Sequence, residues 1–77
     1  MKEQIVNCLN DKKKGEGNRK VLDFCKEPRT AAEIQHAPFK GDVFQMIVDL
    51  SVAEAIKFAN GKYAATPLGL EILSSMQ

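Results

Sequence analysis

Ala59-Asn60-Gly61-Lys62 limits what this chain can fold into more than any other segment. Asn-Gly between two short apolar runs is the strongest short-range signal for a two-residue β-hairpin. Ala55-Ile56-Lys57-Phe58 and Tyr63-Ala64-Ala65 flank it and read as its two strands. Thr66-Pro67 follows at once, an N-cap residue with proline at the first helical position. Leu68, Ile72 and Leu73 then form the apolar stripe of a last helix that ends near Met76.

Helical patterns fill the chain before the hairpin. Ile5, Val6 and Leu9 fit one face of a short helix over Lys2 to Asn10. Lys12-Lys13-Lys14 and Gly15-Glu16-Gly17 read as a basic, glycine-containing loop and linker. A second helix is predicted to start at Asn18, its N-cap, with Val21, Leu22 and Cys25 on one face and Pro28 as its stop. Thr30-Ala31-Ala32-Glu33 is a capping box opening a short helix around Ile34, which Ala37-Pro38 closes. The next helix is predicted from Lys40 or Gly41 to Ala53, with Val43, Ile47 and Leu50 as core positions. At about 100° per residue, Phe44, Met46 and Val48 widen its apolar arc to half the helix, leaving Asp42, Gln45 and Asp49 exposed.

The fold class expected is therefore mainly α with a small β-hairpin (α+β). Residues 1–17 supply an N-terminal helix and a basic loop, and residues 18–77 hold the three-helix core, the wing and the C-terminal helix. One compact domain is expected in all, since 77 residues are near the size at which a single core gives only marginal stability.

Composition narrows the function classes. No run of eighteen apolar residues suggests a membrane span, and Met1-Lys2-Glu3-Gln4-Ile5 lacks the apolar stretch of a signal peptide, so a cytoplasmic protein is expected. Two cysteines and one histidine, without CxxC spacing, are too few for a structural zinc site, so Cys8 and Cys25 read as reduced, partly buried thiols. No metal and no cofactor is expected. Nothing pairs a nucleophile with a base, and no glycine-rich phosphate loop follows a strand, so no enzyme is expected either. The net charge is only +1, from eleven basic and ten acidic side chains, below the usual balance of an avid nucleic-acid binder.

Helix, helix, helix, hairpin, helix over residues 18 to 76 resembles the winged helix-turn-helix domains of arsenic-repressor and multiple-antibiotic-resistance type regulators. The resemblance lies in Val43, Ile47 and Leu50 on the third helix, in Ala55-Ile56, in Gly61-Lys62-Tyr63 on the wing, and in Thr66-Pro67-Leu68-Gly69. Those families usually carry glycine at the turn after the third helix, where this chain has Glu54. Thr-Ala-Ala-Glu-Ile and Thr-Pro-Leu-Gly are also similar to the winged-helix dimerisation domain of small-molecule O-methyltransferases, which holds subunits together and touches no DNA.

The first resemblance implies a transcriptional regulator that places the third helix in the major groove of double-stranded DNA, most simply as a homodimer. Its candidate DNA-binding residues are Arg29 and Thr30 at the second motif helix, Lys40 and Gln45 at the third, and Asn60 and Lys62 on the wing. The second implies a protein-interaction or dimerisation module, with Ile5, Val6, Leu9, Phe44 and Val48 as candidate partner surface. The two readings turn on one structural question, whether the N-terminal helix covers Phe44 and Val48. Covering is expected, because a domain this small needs every apolar contact.

Overall fold

Each element of the chain starts or stops at an identifiable side chain. The structure, a computed structural model, describes residues 2–76; Met1 and Gln77, the ends of the expected domain bounds, lie outside it. Its elements are α1 (Lys2–Leu9), α2 (Gly15–Phe24), α3 (Ala31–His36), α4 (Val43–Val52), β1 (Ile56–Ala59), β2 (Lys62–Ala65) and α5 (Pro67–Ser75). Mainly helical, with one two-stranded antiparallel sheet, the described residues have the expected α+β composition. None of these helices is long and apolar enough to cross a membrane.

The hairpin forms around Asn60-Gly61 as expected, with Ala59 and Lys62 added to the strands and Ala55 outside them, Ile56 opposite Ala65 and Ala59 opposite Lys62. Asn60 and Gly61 both have positive φ, 54° and 76°, which a type I′ turn requires. A short bridge between Arg29 and Tyr63 ties the strand pair to the segment before α3, with backbone bonds of 2.9 and 2.7 Å. Thr30 caps α3 as predicted: its hydroxyl accepts from the Glu33 amide at 3.1 Å while the Glu33 carboxylate accepts from the Thr30 amide at 2.8 Å. Thr66 caps α5 by accepting from the Gly69 amide at 3.0 Å, and Pro67 follows at the first position.

The start of α2 differs from the sequence reading. Gly15-Glu16-Gly17 is not a linker but the first turn of the helix, so the expected division of the domain at 17/18 falls inside α2. Both glycines are there for close approach. A Cβ on Gly15 would stand 2.6 Å from the Leu9 carbonyl oxygen, and one on Gly17 would stand 2.5 Å from Cε of Met46. Asn18 is not an N-cap. It is fully buried, and its Nδ2 donates to the Cys8 carbonyl at 2.9 Å and to the Cys8 sulfur at 3.3 Å. Arg19 donates to the Leu9 carbonyl. Thus α2 side chains satisfy the last carbonyls of α1, which have no partner within their own helix.

The third motif helix is shorter at its start than expected. Asp42 is its N-cap, accepting from the Gln45 amide at 3.1 Å, so Lys40 and Gly41 lie before it. Its core positions are Met46, Ile47 and Leu50, while Val43 is only half-buried. They join Ile5, Leu9, Val21, Leu22, Cys25, Ile34, Ile56, Ile72 and Leu73 in one core. The expectation that α1 serves a partner is corrected for Ile5 and Leu9, because both are fully buried in that core, and Val6 packs against it.

Glu54 closes α4 in the left-handed region, with φ 64°. Its amide donates to the Ser51 carbonyl at 3.0 Å and the Ala55 amide to the Leu50 carbonyl at 2.8 Å, the paired bonds of a Schellman motif. A side chain at this position carries a steric cost of about 1–2 kcal/mol, part of which glycine would return as lost chain entropy. Glu54→Gly is expected to stabilise the chain by about 0.5–1 kcal/mol, read as a higher urea midpoint at unchanged slope.

Candidate functional site

Taking Phe44 as the reference direction on α4, the core residues Met46, Ile47 and Leu50 occupy one half of the helix at about 100° per residue. Phe44, Val48 and Val52 recur every four residues on the other half, and all three stand in solvent, 65%, 42% and 78% exposed. The covering expected from α1 does not occur. That helix packs against α2 and α5 and meets α4 less extensively, with Gln4, Asn7 and Cys8 beside Asp49 and Val52 at the end of α4, and leaves Phe44 and Val48 exposed. Three exposed branched or aromatic side chains in a row form a contiguous apolar ridge, which usually marks a contact surface.

A polar flank runs beside this ridge. Gln45 donates through Nε2 to Asp49 Oδ1 at 2.9 Å, and Lys14 Nζ lies 3.8 Å from Asp49 Oδ2. The flank holds two concavities. One, of about 400 Å³ at the N-terminal end of α4, is lined by Lys13, Lys14, Lys20 and Lys40, with Glu16 and Asp42. The other, of about 390 Å³ at the C-terminal end, is lined by Gln4, Asn7, Asp11, Asp49 and Lys14, with Asn18 and Val52. Each concavity has two carboxylates, set against four lysines at the helix start and against Lys14 alone at its end, so the balance is basic at the start and acidic at the end.

The candidate DNA-binding residues fall into two groups. Arg29, Thr30 and Lys62 surround Glu33, whose charged form Arg29 and Lys62 both favour. Lys40 and Gln45 border the basic cleft. Several already have work within the fold. Arg29 donates through Nε to the Phe24 carbonyl at 2.9 Å and lays its guanidinium 4.1 Å from the centre of the Phe24 ring. Thr30 is a cap, Gln45 is bonded to Asp49, and Asn60 is a turn residue. Lys40 and Lys62 are exposed and make no ion pair among the described residues. Asp42 and Asp49, expected on the exposed face of the helix, are a helix cap and an ion-pair partner.

Val52 and Phe58 were not singled out by the sequence pattern, yet both are prominently exposed. Val52 was legible as the third member of the Phe44, Val48 series. Phe58 stacks on Tyr63, ring centres 4.8 Å apart, and borders a third, largely apolar hollow of about 610 Å³ with Pro67 and Leu68. Comparison with protein-family models, with curated proteins and with solved structures gives no match for this chain.

Burial pushes both thiols up to about 11; Asp49 and Asp11 add to the effect at Cys8, while Arg29 opposes it at Cys25. Alkylation of the native protein at pH 8 is expected to be far slower than after unfolding in urea, followed by mass spectrometry. The Glu33 carboxyl is held below its ordinary 4.5, first by the Thr30 amide, and Asp11 below its ordinary 3.8, first by the amides of Lys14 and Lys13. A carboxyl lowered in the folded state stabilises above its unfolded value, and the gain fades as pH falls through the folded one. The urea midpoint is therefore expected to drop as pH falls below about 4.5, the ordinary value of Glu33, and to drop less in Glu33→Gln.

Proposed function

We propose that this chain is a protein-interaction module of winged-helix type, which docks a helix of another polypeptide on the outer face of α4. The observation that carries this reading is the exposed ridge of Phe44, Val48 and Val52. A helix meant for a DNA groove offers hydrogen-bonding and cationic side chains to bases and phosphates. Here the most exposed direction of α4 is apolar, and Gln45, its one residue suited to a bidentate base contact, is turned to Asp49. An apolar ridge that rises from a polar flank suits a partner helix with its own apolar stripe.

A transcriptional regulator binding duplex DNA is the second reading. Lys40 and Lys62, exposed and unpaired among the described residues, favour it, with Asn60 close to Lys62 on the hairpin. Both readings are tested on one labelled sample. Titration with a synthetic leucine/lysine amphipathic helix is expected to move the amide signals of Phe44, Val48 and Val52. Val48→Asp is expected to abolish those shifts and leave stability within about 0.5 kcal/mol, because the side chain is outside the core. Titration with a short duplex at low salt decides for DNA if it moves Lys40, Asn60 and Lys62, fades with added salt, and is lost in Lys40→Glu/Lys62→Glu.

A further inference from the structure

We propose that the helix docked on α4 is α4 of a second copy, antiparallel, about a two-fold axis close to Val48. This rests on the reading of the outer face of α4 as an interaction surface. Two features of that face are self-complementary under such an axis. The first is the ridge. Phe44, Val48 and Val52 are evenly spaced over about 12 Å of helix, so a two-fold axis at Val48 sets Val48 on its counterpart. It also sets the large Phe44 of one copy against the smaller Val52 of the other, twice.

The second is charge. A two-fold axis that makes a helix pair antiparallel keeps the same flank on the same side while exchanging the helix ends. Both concavities lie on the Gln45–Asp49 flank: the one at the start of α4 sets four lysines against Glu16 and Asp42, and the one at its end sets Asp11 and Asp49 against Lys14. The axis therefore brings Lys40 of each copy to the Asp11 and Asp49 notch of the other. Among the described residues of its own copy, Lys40 has no ion-pair partner, and Asp11, exposed and accepting from the Lys13 and Lys14 amides, is in no ion pair either. A parallel arrangement would lose both matches: it stacks Phe44 on Phe44 and does not bring the basic end of one helix to the acidic end of the other. Because the pairing covers Phe44 and Gln45, the associated chain cannot also insert α4 into a DNA groove.

The experiment is sedimentation velocity on the full chain from micromolar to millimolar concentration, joined to isotope-filtered NMR on a mixture of labelled and unlabelled protein. The expected result is a reversible dimer with transfer between the Phe44 ring of one copy and the Val52 methyls of the other. Val52→Lys, a change at a residue 78% exposed and outside the core, is expected to leave a folded monomer. Lys40→Glu is expected to raise the dimer dissociation constant about tenfold, since the two-fold repeats the repulsion. Asp11→Asn keeps the oxygen that accepts from the Lys13 and Lys14 amides, and in the Lys40→Glu background it is expected to recover most of that loss. A dimer that lacks the Phe44–Val52 transfer, or that survives Val52→Lys, overturns the proposal. A chain that stays monomeric throughout overturns it too. If the leucine/lysine helix still shifts Phe44, Val48 and Val52 in that monomer, the interaction reading stands without self-pairing; if it does not, both fall.

Discussion

The fold depends on how closely α2 approaches its neighbours. It packs against α1, α4 and α5, and two glycines in its first turn remove the side chains that would block it. Gly15 lets the helix start against the Leu9 carbonyl, and Gly17 leaves room for the end of Met46. The same approach lets Asn18 and Arg19 reach the carbonyls of Cys8 and Leu9. A buried amide is costly where it lacks a partner; Nδ2 of Asn18 bonds to Cys8 and so ties α1 to α2, while its Oδ1 is buried with no partner among the described residues. Once α1 is held there, Ile5 and Leu9 complete the core from within the chain.

That placement also determines the surface. With α1 packed mainly on α2 and α5, it meets α4 less extensively, beside Asp49 and Val52 at the end of that helix. Phe44, Val48 and Val52 therefore remain in water, although a domain of this size has little apolar surface to leave unused. The polar groups nearby follow a different logic. Asp42 holds the helix start, while Asp49 is drawn between Gln45 and Lys14. What remains at the two ends of the flank is a basic cleft and an acidic notch, and this asymmetry along one helix gives the face a direction.

Much of the chain was legible because its signals are local. The hairpin, the capping box at Thr30 and the Thr66-Pro67 start each involve residues within a few positions of one another. Their hydrogen bonds form from the same atoms in any surroundings. The candidate site was less legible. Gln45 and Asp49 are one helical turn apart and their bond was within reach of the pattern, but Lys14 comes from a loop far away in sequence. Arg29 is a candidate DNA contact in the sequence, yet the ring beneath it, Phe24, belongs to another element.

By itself the sequence determined the order and type of the elements, the turn at Asn60-Gly61, and the caps of α3 and α5, because these follow from backbone preferences and neighbouring side chains. Tertiary structure alone decided that Gly15 and Gly17 open a helix, that Asn18 is buried, and that Ile5 and Leu9 belong to the core while Phe44 and Val48 do not. Glycine, asparagine and apolar residues each suit more than one environment, and which one they meet depends on how closely distant segments approach. Periodicity shows how wide an apolar arc is, but only packing determines which part of it is covered.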